Sequence, residues 1–327
     1  MVKDAASLTL NEVFQNTVDR VPDSPALLSD ARSLTWRALH DEVGRLSGLL
    51  SSVGVGHGDV VGFMIDKSPE VVVGFLACAR LGAIMAPINF KLHPDRVRDQ
   101  LETSTVAALF TQRSRSALLS KIRHMVPDDR RIVFVGDGAE PGMTSYSDVA
   151  TAKIAPVGAD VTRDTPGYLN YTSGTTGRPK GAVTTHRHIL ENAVATIEGL
   201  NFTEDDIFLG MFSVFAHPHE LFHRSIVVGG PFAILDSLNP RRIAASGGRF
   251  KFTWGMAVPS FYEMMLDYAA PRGSSSSDSD KHDISSLRIL ESGGAYVSAE
   301  TLVQMEARFG ASFVPVWGCT EATGVAL

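Results

Sequence analysis

The chain has 327 residues, of which 44% are hydrophobic and 20% charged, and its formal net charge is −6. This length predicts about two domains, whose cores need neither disulfides nor structural metals. Because no block of Lys and Arg residues stands out, we expect neither a nucleic-acid partner nor an anionic-membrane surface.

The cysteine content and the apolar runs bear on the compartment. Cys78 and Cys319 are too few for a disulfide framework, which favours a reducing, cytoplasmic location. The longest apolar stretch, residues 71–88, is interrupted by Arg80, Gly82 and Pro87. A membrane span needs about 20 predominantly apolar residues, so we expect none here.

Segments with strand-like and helix-like patterns alternate along the chain. Short apolar runs predict strands at Val60–Ile65, Ala86–Ile88, Val106–Phe110, Ile132–Val135, Gly167–Tyr171, Ile207–Met211, Phe232–Leu235, Phe252–Met256, Leu287–Glu291 and Phe313–Val316. Helical periodicity predicts helices at Pro69–Leu81, Asp95–Thr103 and His188–Leu200.

This alternation predicts the α/β class, with two doubly wound, mainly parallel sheets flanked by helices. We divide the chain into two α/β subdomains, roughly residues 1–165 and 166–327. The polar, Ser-rich segment Gly273–Asp283 has nothing to bury, so we expect a surface loop there.

A loop rich in glycine and hydroxyl side chains follows the predicted strand Gly167–Tyr171. The sequence from Tyr171 to His186 is YTSGTTGRPKGAVTTH. Glycines let backbone N–H groups approach anionic oxygens, hydroxyls donate further hydrogen bonds, and a lysine offsets negative charge. The loop is not a Walker A motif, because Gly177 and Gly181 are separated by three residues and Lys180 precedes the last glycine. We predict a polyphosphate site formed by Thr172, Ser173, Gly174, Thr175, Thr176, Gly177 and Lys180.

The string TSGTTGRPKG resembles the signature phosphate loop of the adenylate-forming superfamily, which contains acyl-CoA synthetases, peptide-synthetase adenylation domains and beetle luciferases. Four more segments resemble motifs of that superfamily: LTWRAL at Leu34–Leu39, FLACARLGAIMAPIN at Phe75–Asn89, SGGA at Ser292–Ala295 and WGCTE at Trp317–Glu321. The resemblance covers nearly the whole chain, and it implies an enzyme that uses ATP.

The resemblance also implies a role for each motif. In the superfamily the aromatic residue of the last motif stacks on adenine, which implies Trp317, next to Gly318, in this chain. The same motif implies Mg²⁺ binding by Glu321 and a phosphate contact by Thr320. The other wall of the adenine slot and one side of the acyl pocket are then assigned to the backbone of Gly293, Gly294, Ala295 and Tyr296.

Residues 212–223, FSVFAHPHELFH, contain two competing patterns. In the superfamily a histidine or aromatic residue in this interval stands between the phosphate site and the acyl pocket. We assign that role to His217, and we expect Phe215 and Trp317 to contact the substrate as well.

The same interval contains His219-Glu220-Leu221-Phe222-His223, a literal HExxH. On a helix this pattern can bind zinc and activate water, so a zinc hydrolase is a remote alternative. It lacks the extension of one zinc-peptidase class, because Ile226 and Gly229 stand where Gly and His would be needed. We expect His219 and His223 to be surface or packing histidines with satisfied hydrogen bonds.

The expected substrate class depends on the lack of a particular aspartate in the same interval. Amino-acid-activating domains generally place an aspartate there, because a buried α-ammonium group needs a partner. Ser213 or Ala216 occupies the place in this chain. We therefore expect an aryl or acyl carboxylic acid without an α-amino group.

The resemblance implies a reaction in two steps. The carboxylate attacks the α-phosphorus of ATP and expels Mg-pyrophosphate, and coenzyme A then attacks the acyl-adenylate to give a thioester. A phosphopantetheine arm on an acyl carrier protein is the alternative acceptor. A non-catalytic nucleotide-binding module derived from the same fold is a further alternative. Nothing in the sequence indicates an oligomeric state.

The superfamily continues well beyond the last motif, whereas this chain stops at Leu327. The missing part normally includes a ribose-binding aspartate and a small C-terminal domain with a catalytic lysine. The resemblance therefore implies a truncated N-terminal domain with an incomplete β-barrel subdomain, no C-terminal lid domain and strongly impaired adenylation.

Overall fold

A computed structural model of the chain describes residues 2–151, 158–172, 179–215, 217–235, 237–270 and 282–326. Five residues of the predicted phosphate loop lie outside these ranges: Ser173, Gly174, Thr175, Thr176 and Gly177. Ala216 and most of the segment Gly273–Asp283 also lie outside the described residues.

The described residues form sixteen strands. These are β1 (Pro25–Ser29), β2 (Ser33–Thr35), β3 (Val60–Phe63), β4 (Ile84–Pro87), β5 (Val106–Gln112), β6 (Ile132–Val135), β7 (Thr144–Ser145), β8 (Pro166–Thr172), β9 (Lys180–Thr185), β10 (Phe208–Gly210), β11 (Phe232–Ile234), β12 (Trp254–Ala257), β13 (Ile289–Ser292), β14 (Ser312–Pro315), β15 (Trp317–Gly318) and β16 (Val325–Ala326). Each of the ten predicted strands overlaps an observed one.

The same residues form twelve α-helices. These are α1 (Val2–Ala5), α2 (Leu10–Arg20), α3 (Trp36–Ser52), α4 (Pro69–Leu81), α5 (Pro94–Ser104), α6 (Ser116–Ile122), α7 (Ser147–Thr151), α8 (His186–Leu200), α9 (His223–Val228), α10 (Pro240–Phe250), α11 (Pro259–Leu266) and α12 (Ala299–Phe309). None of these helices is both long and apolar enough to cross a membrane.

The predicted helix Pro69–Leu81 is confirmed with the same bounds as α4. Pro69 fits its first turn because an N–H at that position would have no partner within the helix. The helix ends at Gly82, whose φ of 66° lies in the left-handed region that glycine adopts without steric cost. Local sequence signals therefore fix both ends of this helix.

Two seven-stranded sheets organise the fold, as predicted. Sheet 1 has the order β7-β6-β5-β3-β4-β8-β9 and sheet 2 the order β14-β13-β12-β10-β11-β1-β2. All neighbours are parallel except β8 with β9 and β1 with β2. Outside these sheets, the described residues contain the antiparallel pair β15 and β16, which does not make a closed barrel.

The two sheets do not divide the chain at residue 165. Strands β1 and β2, near the N-terminus, belong to sheet 2, whereas β8 and β9, which follow residue 165, belong to sheet 1. The chain therefore crosses between the sheets more than once, and the two subdomains of the sequence analysis stay a prediction.

One hydrophobic cluster connects the sheets. It contains Phe63 of sheet 1, Phe208 and Ile234 of sheet 2, and Phe75 of the intervening helix α4, all essentially unexposed. Lys67, shortly after β3, donates a hydrogen bond from Nζ to the carbonyl oxygen of Gly210, the last residue of β10, at 2.7 Å. This bond joins the carboxyl-terminal edges of the two sheets, where open α/β folds bind their ligands.

Candidate functional site

The predicted phosphate loop connects the two strands of a hairpin. Strands β8 and β9 are antiparallel, and Thr172 pairs with Lys180 at the open end of the ladder. The sequence predicted a helix directly after the loop, but β9 precedes α8. Thr172 and Pro179, together with Asn89 and Tyr171, line a cavity of about 410 Å³ at the base of the loop.

A pair of glycines follows β13 and borders a second cavity. A Cβ atom on Gly293 would lie 2.2 Å from the carbonyl oxygen of Val316, so a side chain has no room there. Gly294 has a φ of 79°, which lies in the region that favours glycine. The backbone after β13 can therefore pass close to the segment that begins the last motif.

Several predicted site residues meet at that second cavity, which measures about 160 Å³. We call it the acyl pocket after the role that the sequence analysis predicts for its residues. It is lined by Phe212, His217, Glu220, Met256, Ala257, Val258, Gly293, Gly294, Val316 and Gly318. The structure thus brings together four segments that lie far apart in the sequence. Phe215 contacts the ring of Phe90 at a centroid distance of 5.0 Å and lines the 410 Å³ cavity instead.

His217 is held in an unusual backbone conformation at the acyl pocket. Its φ of 46° is left-handed, and the turn Pro218–Leu221 starts immediately after it. Its Nδ1 lies 3.5 Å from the hydroxyl oxygen of Tyr168 in β8. Burial lowers the pKa of His217, so a neutral imidazole faces the pocket.

The segment that begins at Trp317 lies against the hairpin of the phosphate loop. The hydroxyl groups of Thr323 and Thr184 are 3.3 Å apart, and the Tyr168 hydroxyl lies 3.5 Å from the Thr323 carbonyl oxygen. Thr320 and Glu321 are in the intervening turn, so Glu321 is carried close to the base of the hairpin.

The predicted adenine-binding side chains are open to solvent. Tyr296 is 90% exposed and Trp317 is 67% exposed, and Ala295 and Gly318 are exposed as well. Glu321 and Lys180 are also exposed. Most of the described residues that the sequence analysis assigns to the nucleotide are therefore exposed, whereas Thr172 and Thr320 are half-buried.

A buried group of charged side chains lies behind the acyl pocket, and we call Glu220, Arg224, Glu291 and Trp254 the ion cluster. Arg224 donates from Nη2 to Glu220 Oε2 at 2.9 Å and contacts Glu291 through Nη1 at 3.1 Å. Trp254 donates from Nε1 to Glu291 Oε2 at 2.7 Å. All four side chains are at most 1% exposed, so these interactions are made away from water.

Burial affects the protonation of Glu220 more than its charged neighbours do. Removal from water raises the pKa of this carboxyl, Arg224 lowers it and Glu291 raises it further, with a result of about 7. The sequence analysis did not identify Arg224 or Glu291. The i, i+4 spacing of Glu220 and Arg224 was a signal that could have identified Arg224. No local pattern could have identified Glu291, because it lies 67 residues after Arg224.

The expectation for His219 and His223 was wrong in part. Both are fully buried, as packing histidines are, so the error concerns hydrogen bonding. His223 Nε2 lies 3.0 Å from the side-chain oxygen of Asn192, but neither ring nitrogen of His219 has a hydrogen-bond partner among the described residues. His219 packs against the ring of Tyr168 at a centroid distance of 5.4 Å, so packing rather than hydrogen bonding holds it.

His219, Glu220 and His223 also offer three ligand atoms that lie within 4.8 Å of one another. They are not on one α-helix, because Pro218–Leu221 forms a 3-10 turn and α9 begins at His223. Glu220, which would have to activate a zinc-bound water, already accepts a hydrogen bond from the Arg224 guanidinium. The arrangement therefore does not favour the zinc hydrolase alternative.

Comparison with known proteins gives consistent matches. A profile described as AMP-binding enzyme matches residues 14–327. The chain is 29% identical over 332 residues to indoleacetate–CoA ligase of Aromatoleum aromaticum, covering 98% of this chain and 61% of that protein. It is also 29% identical over 314 residues to 4-coumarate–CoA ligase 4 of Arabidopsis thaliana, covering 90% of this chain and 53% of that protein.

A peptide synthetase and a solved structure match as well. Gramicidin S synthase 2 of Aneurinibacillus migulanus is 25% identical over 327 residues, which cover 97% of this chain and 7% of that protein. The crystal structure of an anthranilate CoA ligase in complex with anthranoyl-AMP superposes with a TM-score of 0.87 at 24% identity, covering 99% of this chain and 62% of that one. This last similarity shows a shared fold, and the chain spans about three fifths of that ligase.

Proposed function

This chain belongs to the AMP-binding enzyme family, and from that premise we propose that it serves the ATP-dependent activation of an aryl or acyl carboxylic acid as acyl-AMP, with coenzyme A as the acceptor of the acyl group. The observation that carries the proposal is the acyl pocket, where His217, Gly293 and Gly318 meet from three separate motifs.

The size and lining of the acyl pocket support a small apolar acyl group. Its volume is about 160 Å³, close to the roughly 150 Å³ of an apolar cavity that holds one benzene ring. Phe212, Met256 and Val258 give it apolar walls. Relatives named for indoleacetate and 4-coumarate, both aromatic acids, agree with an aryl substrate.

We assign the nucleotide to the open side of the site. Thr172 and Lys180 stand at the two ends of the phosphate loop. We assign these two residues and the loop residues Ser173 to Gly177 to the polyphosphate group of the nucleotide. Trp317 is free to stack on adenine, an interaction that any base can make. The exposed backbone of Gly294, Ala295 and Tyr296 then forms the opposite wall.

Glu321 and Thr320 fit a magnesium–triphosphate group. Mg²⁺ is usually bound by one or two carboxylates together with phosphate oxygens. Glu321 is exposed, and no ion-pair or hydrogen-bond partner occupies its carboxylate among the described residues. Mg²⁺ bound there would offset the negative charge of the departing pyrophosphate.

The residues of this chain position the reactants. The acyl pocket orients the carboxylate and excludes water from it, since positioning and charge neutralisation dominate transfer to a phosphorus atom. His217 stands on the wall of that pocket as a neutral imidazole, able to donate or accept one hydrogen bond. Both cysteines are free, which suits the cytoplasm as the compartment of this reaction.

A carrier-protein phosphopantetheine is the second candidate acceptor. The match to gramicidin S synthase 2, which extends along 97% of this chain, supports that candidate. Both acceptors are thiols that attack the same acyl-adenylate, so the two candidates are distinguished by supplying each thiol to the protein with the same acid.

The test is calorimetric titration of this chain with ATP, with and without Mg²⁺. We expect binding that is stronger with Mg²⁺, and we expect Glu321→Gln to remove the difference while leaving the Mg²⁺-free affinity unchanged. Glu300→Gln, an exposed glutamate on α12, is the matched control. Absence of ATP binding under all conditions would contradict the proposal.

A panel of carboxylic acids then tests the substrate class. The protein, ATP and each acid are combined, and thioester formation with coenzyme A is measured. We expect aryl acids with one ring to be the best substrates and α-amino acids to be poor ones. Preference for a long alkyl chain would contradict the assignment of the 160 Å³ cavity as the acyl pocket.

A further inference from the structure

The ion cluster contains one guanidinium for two carboxylates. Both side-chain oxygens of Glu291 are engaged, Oε1 by Arg224 and Oε2 by Trp254 and Arg224. Glu220 Oε2 accepts from Arg224. Glu220 Oε1 has no hydrogen-bond partner among the described residues.

The unpartnered oxygen belongs to a fully buried side chain. Glu220 is 1% exposed, so bulk water does not hydrate it. His219 Nε2, which also has no hydrogen-bond partner among the described residues, lies 3.7 Å from Oε1, beyond hydrogen-bond distance. A buried acceptor without a donor is costly to the folded state, and such groups often have a functional reason.

Glu220 also lines the acyl pocket. Of the described residues around that cavity, Glu220 and His217 are the two with ionisable side chains, whereas Phe212, Met256 and Val258 are apolar. The lining therefore combines mostly apolar side chains with Glu220, whose Oε1 has no hydrogen-bond partner among the described residues.

We propose that the acyl group of the substrate carries a hydrogen-bond donor, an amino, hydroxyl or ring N–H group, and that Glu220 Oε1 accepts from it. This inference rests on the proposed function and narrows its substrate class from aryl or acyl acids to donor-bearing ones. The donor completes the hydrogen bonding of a carboxylate that Arg224 already holds in place through Oε2.

A neutral donor is more favourable at Glu220 Oε1 than a metal ion is. Arg224 is bonded to the same carboxylate, so a divalent cation at Glu220 would lie close to a buried guanidinium. Desolvation also makes a second buried cation unfavourable. An N–H or O–H group adds no net charge and needs one acceptor.

The experiment uses adenylate analogues that cannot react. Acyl-sulfamoyl adenosines made from 2-, 3- and 4-aminobenzoate are compared with those made from the corresponding methylbenzoates, because amino and methyl groups are similar in size. Binding to this chain is measured by calorimetry. We expect at least one amino analogue to bind about tenfold more tightly than its methyl partner, since a hydrogen bond to a buried carboxylate is of that order.

Variants identify the acceptor. Glu220→Leu should reduce the amino-to-methyl ratio to about one, because it removes the acceptor and leaves Arg224 paired with Glu291 alone. Glu220→Gln keeps a carbonyl oxygen and should retain part of the preference. Glu263→Leu, at an exposed position of α11, is the control and should keep the wild-type ratio.

The outcomes separate this inference from the proposed function. Equal binding of the amino and methyl analogues by the wild-type chain overturns the inference and leaves the proposed function standing. This comparison uses only the wild-type chain, so it does not depend on whether the Glu220 variants fold. Failure of every analogue to bind overturns the proposed function as well. Tightest binding by a phenylalanyl analogue overturns the placement of the donor on the acyl group, because its donor is then the α-ammonium group.

Discussion

The acyl side and the nucleotide side of the candidate site are built differently. On the acyl side, Glu220, Arg224 and Glu291 are buried and already hold one another in place. On the nucleotide side, Tyr296 and Trp317 are 90% and 67% exposed. The first is held together by its own side chains, whereas we expect the second to gain contacts when the proposed nucleotide binds.

This difference in burial predicts that the two groups of residues contribute to different properties, one to fold stability and the other to ligand binding. Changes on the acyl side should alter the stability of the fold, because they disturb buried charges. Changes on the nucleotide side should alter ligand binding and leave stability almost unchanged, because exposed side chains contribute little to it. The four predictions below test that separation.

The largest effect is expected for Arg224→Ala on the acyl side. Without the guanidinium, Glu220 and Glu291 are left as two buried carboxylates that have lost their common partner. The free energy of unfolding, measured in urea, should fall by about 3–5 kcal/mol. Arg98→Ala breaks an exposed pair with Asp95 and should cost at most about 1 kcal/mol. Equal losses of unfolding free energy in the two variants would contradict the expected difference between the buried and the exposed ion pair.

Trp254→Phe tests the same cluster through a neutral donor. It removes the hydrogen bond to the Glu291 carboxylate and should cost about 1.5–3 kcal/mol of unfolding free energy. Trp36→Phe is matched, since it removes a hydrogen bond from an equally buried indole to the carbonyl oxygen of Gly229. That bond has an uncharged acceptor, so its loss should cost less, about 0.5–1.5 kcal/mol. The reverse order in urea titrations would argue against a charged Glu291.

Trp317→Ala should separate binding from stability. Loss of base stacking should weaken ATP binding by about 1–3 kcal/mol, measured by calorimetry. The unfolding free energy should change by less than about 0.5 kcal/mol. Met264→Ala, which also shortens an exposed side chain, should change neither quantity. A large loss of stability in Trp317→Ala would show that the nucleotide side is also part of the core.

His219→Phe addresses the dependence of stability on pH. Burial lowers the pKa of His219 well below 6.5, so the unfolded chain takes up a proton first as the pH falls, and stability is lost below pH 6.5. One such histidine costs about 1 kcal/mol between pH 6.5 and 5.5. The variant should be less pH-sensitive than the wild type by about that amount. Exposed His124→Phe should leave the dependence unchanged.

Local signals in the sequence predicted most of the elements that carry the site. Pro69 and Gly82 mark the ends of α4, and the apolar run Val106–Phe110 identifies the buried strand β5. Strand β9 was missed because half of its residues, KGAVTT, are exposed and only one is buried, so the segment has no apolar run. Edge strands of this kind carry little of the burial that periodicity detects.

The candidate site was predicted where a motif is contiguous and missed where it is assembled from distant residues. His217, Gly293 and Gly318 were identified through motifs, and the fold brings them to one cavity. The pairing of Arg224 with Glu291 joins helix α9 to strand β13 across 67 residues of sequence. A single sequence holds no local pattern for such a contact, and Phe215, adjacent to the motif, faces another cavity.

The exchange of strands between the two halves of the chain has a consequence for synthesis. Strand β1 pairs in parallel with β11 through Leu27 and Phe232, so the partner of an early strand is made roughly 200 residues later. At ribosomal rates of about 5–20 residues per second, that delay is about 10–40 s. Long-range pairing of this kind slows folding and leaves a strand edge available to other chains. The nascent protein therefore depends on its first residues staying unaggregated until β11 emerges.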